Sequence, residues 1–214
     1  MAISDSTARR YELSDPDVRL MLEVRDGSAE AFETLMLRYQ QRLIMVLRHL
    51  MGRQDMAEDL AQEVFLRVYR SRARYVPGAK FSTWLFTIAN NVASNALRGM
   101  SRRREVHLPA SESGPWGAHP LEQLALDGSG GMPTRQLDKA EMRQVVQSAI
   151  EGLNERQRMA VLLSKFESLS YAEIAEIMEM TPQAIKSLLS RARGNLRVAI
   201  APYLEDGSRP ANKE

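Results

Sequence analysis

Between residues 181 and 197, short polar side chains are followed by cations at helical spacing. Gln183, Lys186, Ser187, Ser190, Arg191 and Arg193 fall on one side of a predicted helix, with Ile185, Leu189, Ala192 and Leu196 on the other. Amides and hydroxyls near a helix N-terminus can meet base edges in a duplex major groove, while cations behind them neutralise phosphates. From Lys186 to Arg197 there are four basic residues and no acidic one. Thr181 suits an N-cap, and Pro182 fits the first helical position, where its missing N–H costs nothing. Upstream, Ile174, Ala175, Ile177 and Met178 form the apolar face of a shorter helix, so the pattern is a helix-turn-helix. Plain helical packing is the alternative, with the Arg-rich stretch complementing a helix dipole.

A second constellation is acidic. Asp55, Glu58, Asp59, Gln62 and Glu63 share one face of a helix predicted over residues 55–70, opposite Met56, Leu60, Val64 and Val68. Like charges at this spacing repel by a few tenths of a kcal/mol per pair, which a basic partner would offset. The alternative is a solvated helix face.

The third constellation mixes aromatics with amides and cations. After a Pro77-Gly78 turn come Lys80, Phe81, Ser82, Thr83, Trp84 and Phe86, then Asn90, Asn91, Asn95 and Arg98. Partly exposed aromatics among cations and amides can stack unpaired bases and hydrogen-bond their edges. Ordinary core packing of Phe81, Trp84, Leu85 and Ile88 is the competing reading. Arg102 and Arg103 extend the basic character.

Bulk composition narrows the field. The 214 residues carry a net charge of only +2, so nucleic-acid contact must come from local patches. With no cysteine, disulfides and thiolate chemistry are excluded. His49, His107 and His119 lack ligand spacing and read as surface or packing residues, so neither a metal nor a cofactor is expected. Neither an apolar signal core nor a membrane-length apolar run is present, which predicts a cytoplasmic protein without membrane insertion.

These elements must be positioned by an all-α chain of two small helical domains. Residues 15–104 form the first, with a long amphipathic helix over residues 29–51 that Gly52 ends. Residues 137–204 form the second. Between them, residues 105–136 are rich in Pro, Gly and Ser and read as a flexible linker carrying Trp116, with a helical turn near residues 121–126. Residues 1–14 and 205–214 read as frayed tails.

Taken together, the motifs resemble the sigma factors of bacterial RNA polymerase, in particular the extracytoplasmic-function group of the sigma-70 family. The segment DMAEDLAQEVF from Asp55 resembles the region 2 stretch that docks on the polymerase clamp. FSTWLFTIANN from Phe81 resembles the stretch that melts the −10 element. LNERQR from Leu153, SYAEIA from Ser170 and KSLLSRAR from Lys186 resemble region 4, the −35 reader. The resemblance implies a non-catalytic initiation subunit serving a regulated stress or envelope response. Its partners would be core RNA polymerase, through the large-subunit clamp coiled coil and flap, promoter DNA, and an anti-sigma factor. It assigns polymerase docking to Asp55, Glu58, Asp59, Gln62 and Glu63. To −10 recognition it assigns Lys80, Phe81, Ser82, Thr83, Trp84, Asn90, Asn91, Asn95, Arg98, Arg102 and Arg103, around a base flipped from the non-template strand. Thr181, Gln183, Ala184, Lys186, Ser187, Ser190, Arg191 and Arg193 would read or clamp the −35 duplex.

The chain departs from the family pattern at four places. Glu179 stands where Gly is common in the helix-turn-helix turn, at a cost on the order of 1 kcal/mol if φ is positive there. Leu188 replaces a frequent Arg, and Asn90 and Asn95 stand where Arg and Asp are frequent. Two rival functions fit less well. A polymerase-independent regulator would carry a sensory or dimerising domain, and a mimic that only titrates an anti-sigma protein would lose Lys186, Arg191 and Arg193.

Overall fold

The computed structural model describes residues 5–106 and 133–205, and among them every regular element is a helix. The order is α1 Asp5–Ser14, α2 Pro16–Arg25, α3 Ala29–Met51, α4 Gln54–Ser71, a 3-10 turn Arg72–Arg74, and α5 Phe81–Val106. The second half contributes α6 Pro133–Glu151, α7 Glu155–Lys165, α8 Tyr171–Ile177 and α9 Pro182–Glu205. No described helix is long and apolar enough to cross a membrane.

Local sequence explains most helix ends. Ser28 caps α3 by accepting from the Ala31 N–H at 3.1 Å, and Gly52 closes it in the left-handed conformation at φ 70°. Asn154 caps α7 through the Gln157 N–H at 2.9 Å. Ser170 and Glu173 form a reciprocal capping box at the start of α8. Thr181 accepts from the Ala184 N–H at 3.2 Å, with Pro182 opening α9 as expected.

The first domain packs α2, α3, α4 and α5 around Met21, Leu35, Leu43, Leu47, Val64, Phe81, Leu85 and Phe86. Its one buried carboxylate is satisfied: Asp17 receives the Tyr39 hydroxyl at 2.5 Å and pairs with Arg38. In the second domain, α6 to α9 enclose Leu162, Leu163, Ile174, Ile177, Ile185 and Ala192.

The structure departs from the sequence reading, or adds to it, in three places. Residues 1–14 were expected to fray, yet residues 5–14 form α1, which rests on α2 and buries none of its own side chains. The sequence reading joins the two domains by the linker and says nothing of a contact between them; in the structure they touch, with α7 and α6 meeting α3 and α8 lying on α5. Physically, α5 and α8 both leave apolar surface unfilled by their own domains, and apposition removes it from water. The linker expected over residues 105–136 is helical at both ends, where α5 runs to Val106 and α6 starts at Pro133; its residues 107–132, with His107, Trp116 and His119, lie outside the described residues, as does the tail after residue 205.

Candidate nucleic-acid interface

α9 is anchored by Ile185, Leu188, Leu189 and Ala192, all buried, so its outer face is fixed. Gln183, Lys186, Ser187, Ser190, Arg191 and Arg193 are all exposed on that face, and Ala184 is half-buried beside them. Neither Lys186 nor Arg191 forms a salt bridge among the described residues. Thr181 is exposed, but its hydroxyl is occupied as the helix cap. Leu188, expected as a position of altered contact, belongs to the core and faces α9's own domain. Glu179 has φ 53°, so the turn before α9 is left-handed at a residue with a Cβ.

On α5 the picture is mixed. Phe81 and Thr83, which the resemblance assigns to −10 recognition, are fully buried, so for Phe81 the core reading holds; α5 starts in contact with α2 and α3. Phe81 packs on Tyr39 with ring centroids 5.2 Å apart, and the Thr83 hydroxyl is enclosed without a partner. Trp84 is half-buried, its ring tilted against Tyr75 at 4.8 Å and against Phe81 at 5.9 Å between centroids. Ser82 and Asn90 are half-buried, while Lys80, Asn91, Asn95, Arg98 and Arg102 are exposed. Arg98 donates to the Asn95 side chain at 2.7 Å, a pair that presents both groups from one turn of helix. The side chain of Arg103 lies outside the described residues.

Two of these groups are held by the second domain. Lys80 Nζ lies 2.8 Å from Glu173 Oε1, and the Asn90 amide donates to the Ile177 carbonyl at 3.3 Å. Hydrogen bonding to Glu173 raises Lys80 above its ordinary value. For Glu173, burial pushes the carboxyl up, but Lys80 and Ser170 outweigh it and hold it below its ordinary value.

α4 presents its acidic residues outward. Asp55, Glu58, Asp59 and Gln62 are exposed and Glu63 is half-buried. Neighbours temper the repulsion expected from the sequence. Arg53 lies 2.5 Å from Asp55, Arg67 2.7 Å from Glu63, and the Gln54 amide donates to Glu58 at 2.6 Å. These contacts hold Asp55 and Glu63 below the usual carboxylate range. Asp59 alone of the four acids has neither an ion pair nor a hydrogen bond of its side chain among the described residues.

Sequence reasoning missed several residues that organise these surfaces. Asp15 accepts from the Phe81 N–H at 2.9 Å and fixes the start of α5. Arg158 donates to the carbonyls of Ile150, Glu151 and Leu153 at the end of α6 and also to those of His49 and Leu50 near the end of α3. Arg42 pairs with Glu167, whose side chain is fully enclosed. Only Arg158 had a visible signal, its place in the LNERQR motif.

Residues 35–103 match the sigma-70 region 2 family, and residues 143–196 match sigma-70 region 4. The chain is 31% identical to the RNA polymerase sigma-H factor of Pseudomonas aeruginosa over 195 residues, covering 90% of this chain and 97% of that one. It is also 31% identical to the ECF RNA polymerase sigma-E factor of Escherichia coli K12, over 88% of this chain and 96% of that one. Its fold is that of the sigma factor RpoE of Bartonella quintana, solved in complex with the anti-sigma factor NepR. That likeness has a TM-score of 0.63 at 24% identity, over 81% of this chain and 98% of that one. With both regions present in order and relatives matched over nearly their full length, the chain belongs to the sigma-70 family of RNA polymerase sigma factors, in its extracytoplasmic-function group.

Proposed function

We propose that this sigma factor docks on core RNA polymerase through the acidic face of α4 and reads a two-part promoter with α5 and α9. Asp55, Glu58, Asp59, Gln62 and Glu63 would meet a basic coiled coil on the large subunit. Trp84 and Ser82, with Lys80, Asn90, Asn91, Asn95, Arg98 and Arg102 around them, would receive a base displaced from the non-template strand. Unstacking such a base costs a few kcal/mol, which an aromatic edge and amide donors offset. Phe81 and Thr83, being buried, would shape that surface from beneath. Gln183, Lys186, Ser187, Ser190, Arg191 and Arg193 would lie in the major groove of the −35 duplex, with Thr181 and Ala184 setting the helix entry.

The observation that carries this reading is the outer face of α9. Amides and hydroxyls lead, cations follow, and all are exposed on a helix whose other side is locked into the core. The chain itself makes and breaks no bond; it would direct the polymerase in the cytoplasm. A regulated stress or envelope regulon and control by an anti-sigma factor complete the proposal.

The test is a pull-down with bacterial core RNA polymerase, followed by transcription from a genomic promoter library. Stable association and transcripts sharing a two-part upstream motif are expected. Absence of association by a folded chain would overturn the proposal.

A further inference from the structure

Four elements meet around a gap. Leu50 of α3, Ala93 and Leu97 of α5, Met159 of α7, and Met178 and Met180 after α8 border a cleft of about 310 Å³. Leu50, Ala93 and Met159 are buried, while Leu97, Met178 and Met180 are half-buried along its walls. Close-packed interiors rarely leave a void larger than a water molecule. Methionine, with three rotatable bonds, commonly fills irregular gaps, yet three methionines border this one and leave it open.

The rim is charged. Arg98 and Arg156 are exposed there, and neither forms a salt bridge among the described residues. Arg98 gives its N–H groups to the Ser94 carbonyl and the Asn95 side chain, both neutral, so its charge is uncompensated. One carboxylate also lines the cleft, that of Glu155, which accepts from the Ser94 hydroxyl at 3.4 Å. Two cations against one acid leave the rim net positive above apolar walls.

Such a site suits an anion that carries a hydrocarbon chain. The volume lies at the lower end of the roughly 300–1,000 Å³ of small-molecule sites, which favour domain interfaces and combine apolar walls with a few convergent polar groups. We propose that this cleft binds a medium-chain acyl carboxylate, its chain against Leu97, Met159, Met178 and Met180 and its head between Arg98 and Arg156. Guanidinium forks match a carboxylate in shape and charge, and the polarizable thioethers adapt to the chain. Each methylene that the walls cover should add up to about fourfold in affinity, until the chain outgrows the cleft.

Isothermal titration calorimetry of the full chain with hexanoate, octanoate and decanoate, each below its micellar range, tests this site. Decanoate should bind saturably with one equivalent, on the order of tenfold or more tighter than hexanoate. Decylammonium, with the same chain and the opposite charge, should bind on the order of tenfold more weakly than decanoate. Two variants, verified as helical by circular dichroism, locate the binding. Leu97→Trp fills the cleft and should abolish it. Arg156→Glu, at an exposed position that the fold tolerates, should weaken decanoate on the order of tenfold and strengthen decylammonium. Absence of saturable binding by the natural chain would overturn the site. Equal affinity for decanoate and decylammonium would do the same, as would binding of decanoate that Arg156→Glu leaves unchanged.

Discussion

The carboxylate of Asp15 receives the backbone N–H of Phe81 at 2.9 Å, across 66 positions of sequence. Its other oxygen accepts from the Asp17 N–H at 2.9 Å, so one side chain caps both α2 and α5. A helix N-terminus leaves unpaired N–H groups, and a carboxylate there satisfies them and complements the dipole. Because α5 starts at Phe81, the cap also fixes where Lys80 and Trp84 stand. Asp15→Ala should destabilise the fold by about 1–3 kcal/mol, since two caps are lost together. Asp15→Asn should recover part of it. Urea denaturation of the three chains checks this, and an unchanged midpoint for Asp15→Ala would contradict the double cap.

Glu179 sits at φ 53°, in the turn between the two helices that frame the duplex reader. A side chain with a Cβ pays there for a conformation that glycine adopts freely. Glu179→Gly should therefore stabilise the chain by up to about 1 kcal/mol, less what glycine loses through its freer unfolded state. Thermal unfolding would read this as a rise of a few degrees. A fall would mean that the Glu179 side chain contributes more in place than its backbone costs.

The fold was legible wherever a helix carried its own signals. Ser28 and Gly52 mark the ends of α3, and Thr181 with Pro182 marks the start of α9, all within a few residues of the elements they bound. Exposure on α9 followed from periodicity for the same reason. What could not be read was anything that joined distant segments. No local pattern ties Asp15 to Phe81, Arg42 to Glu167 or Lys80 to Glu173. Burial of Thr83 was hidden too, because the first turn of α5 is enclosed by neighbouring helices, whereas Phe81 continues the apolar face of Leu85, Ala89 and Val92 and core packing was already one reading of it. Leu188 likewise fills a gap that only tertiary packing defines.

Asp59 is exposed among acids that their neighbours already pair, so its charge is the one most available to a partner. Asp59→Arg should weaken association with core polymerase on the order of tenfold or more, by placing like charges together at the contact. Stability should change by no more than about 0.5 kcal/mol, as for other exposed sites. Unchanged polymerase affinity in the folded variant would remove the docking role of this face.

His49 gives the chain a pH dependence. Burial first, then the Arg48 cation, push its imidazole below the ordinary value of 6.5. A group whose folded value is depressed contributes stability above its unfolded value and loses it as pH falls through the folded one. Stability should therefore decline as pH drops below about 6.5, with a slope of up to about 1.4 kcal/mol per pH unit. Glu167 acts with the opposite sign, because burial raises its carboxyl despite Arg42, so its contribution grows toward acid. Glu176 is raised by burial in the same way, so denaturation from about pH 7.5 to about 5.5 in a background with both glutamates replaced by Gln isolates the histidine. Replacing His49 with Gln should flatten that slope; a slope that persists would assign it to another group.

Arg191 stands one turn behind Ser187 on the outer face of α9, exposed and without an ion pair. A cation so placed adds affinity for the duplex by releasing a counterion from the phosphates, while the amides and hydroxyls ahead of it choose the sequence. If it contacts a phosphate, Arg191→Ala should weaken −35 duplex binding about equally for all sequences and lower the salt slope of log K by about 1. If it contacts a base edge, the loss should instead concentrate at one base pair, by about 1–3 kcal/mol. Titrations at several salt concentrations with single-base variants of the duplex separate these outcomes. Binding that is unaltered in both affinity and salt slope would remove Arg191 from the interface, and with it the orientation of α9 in the groove.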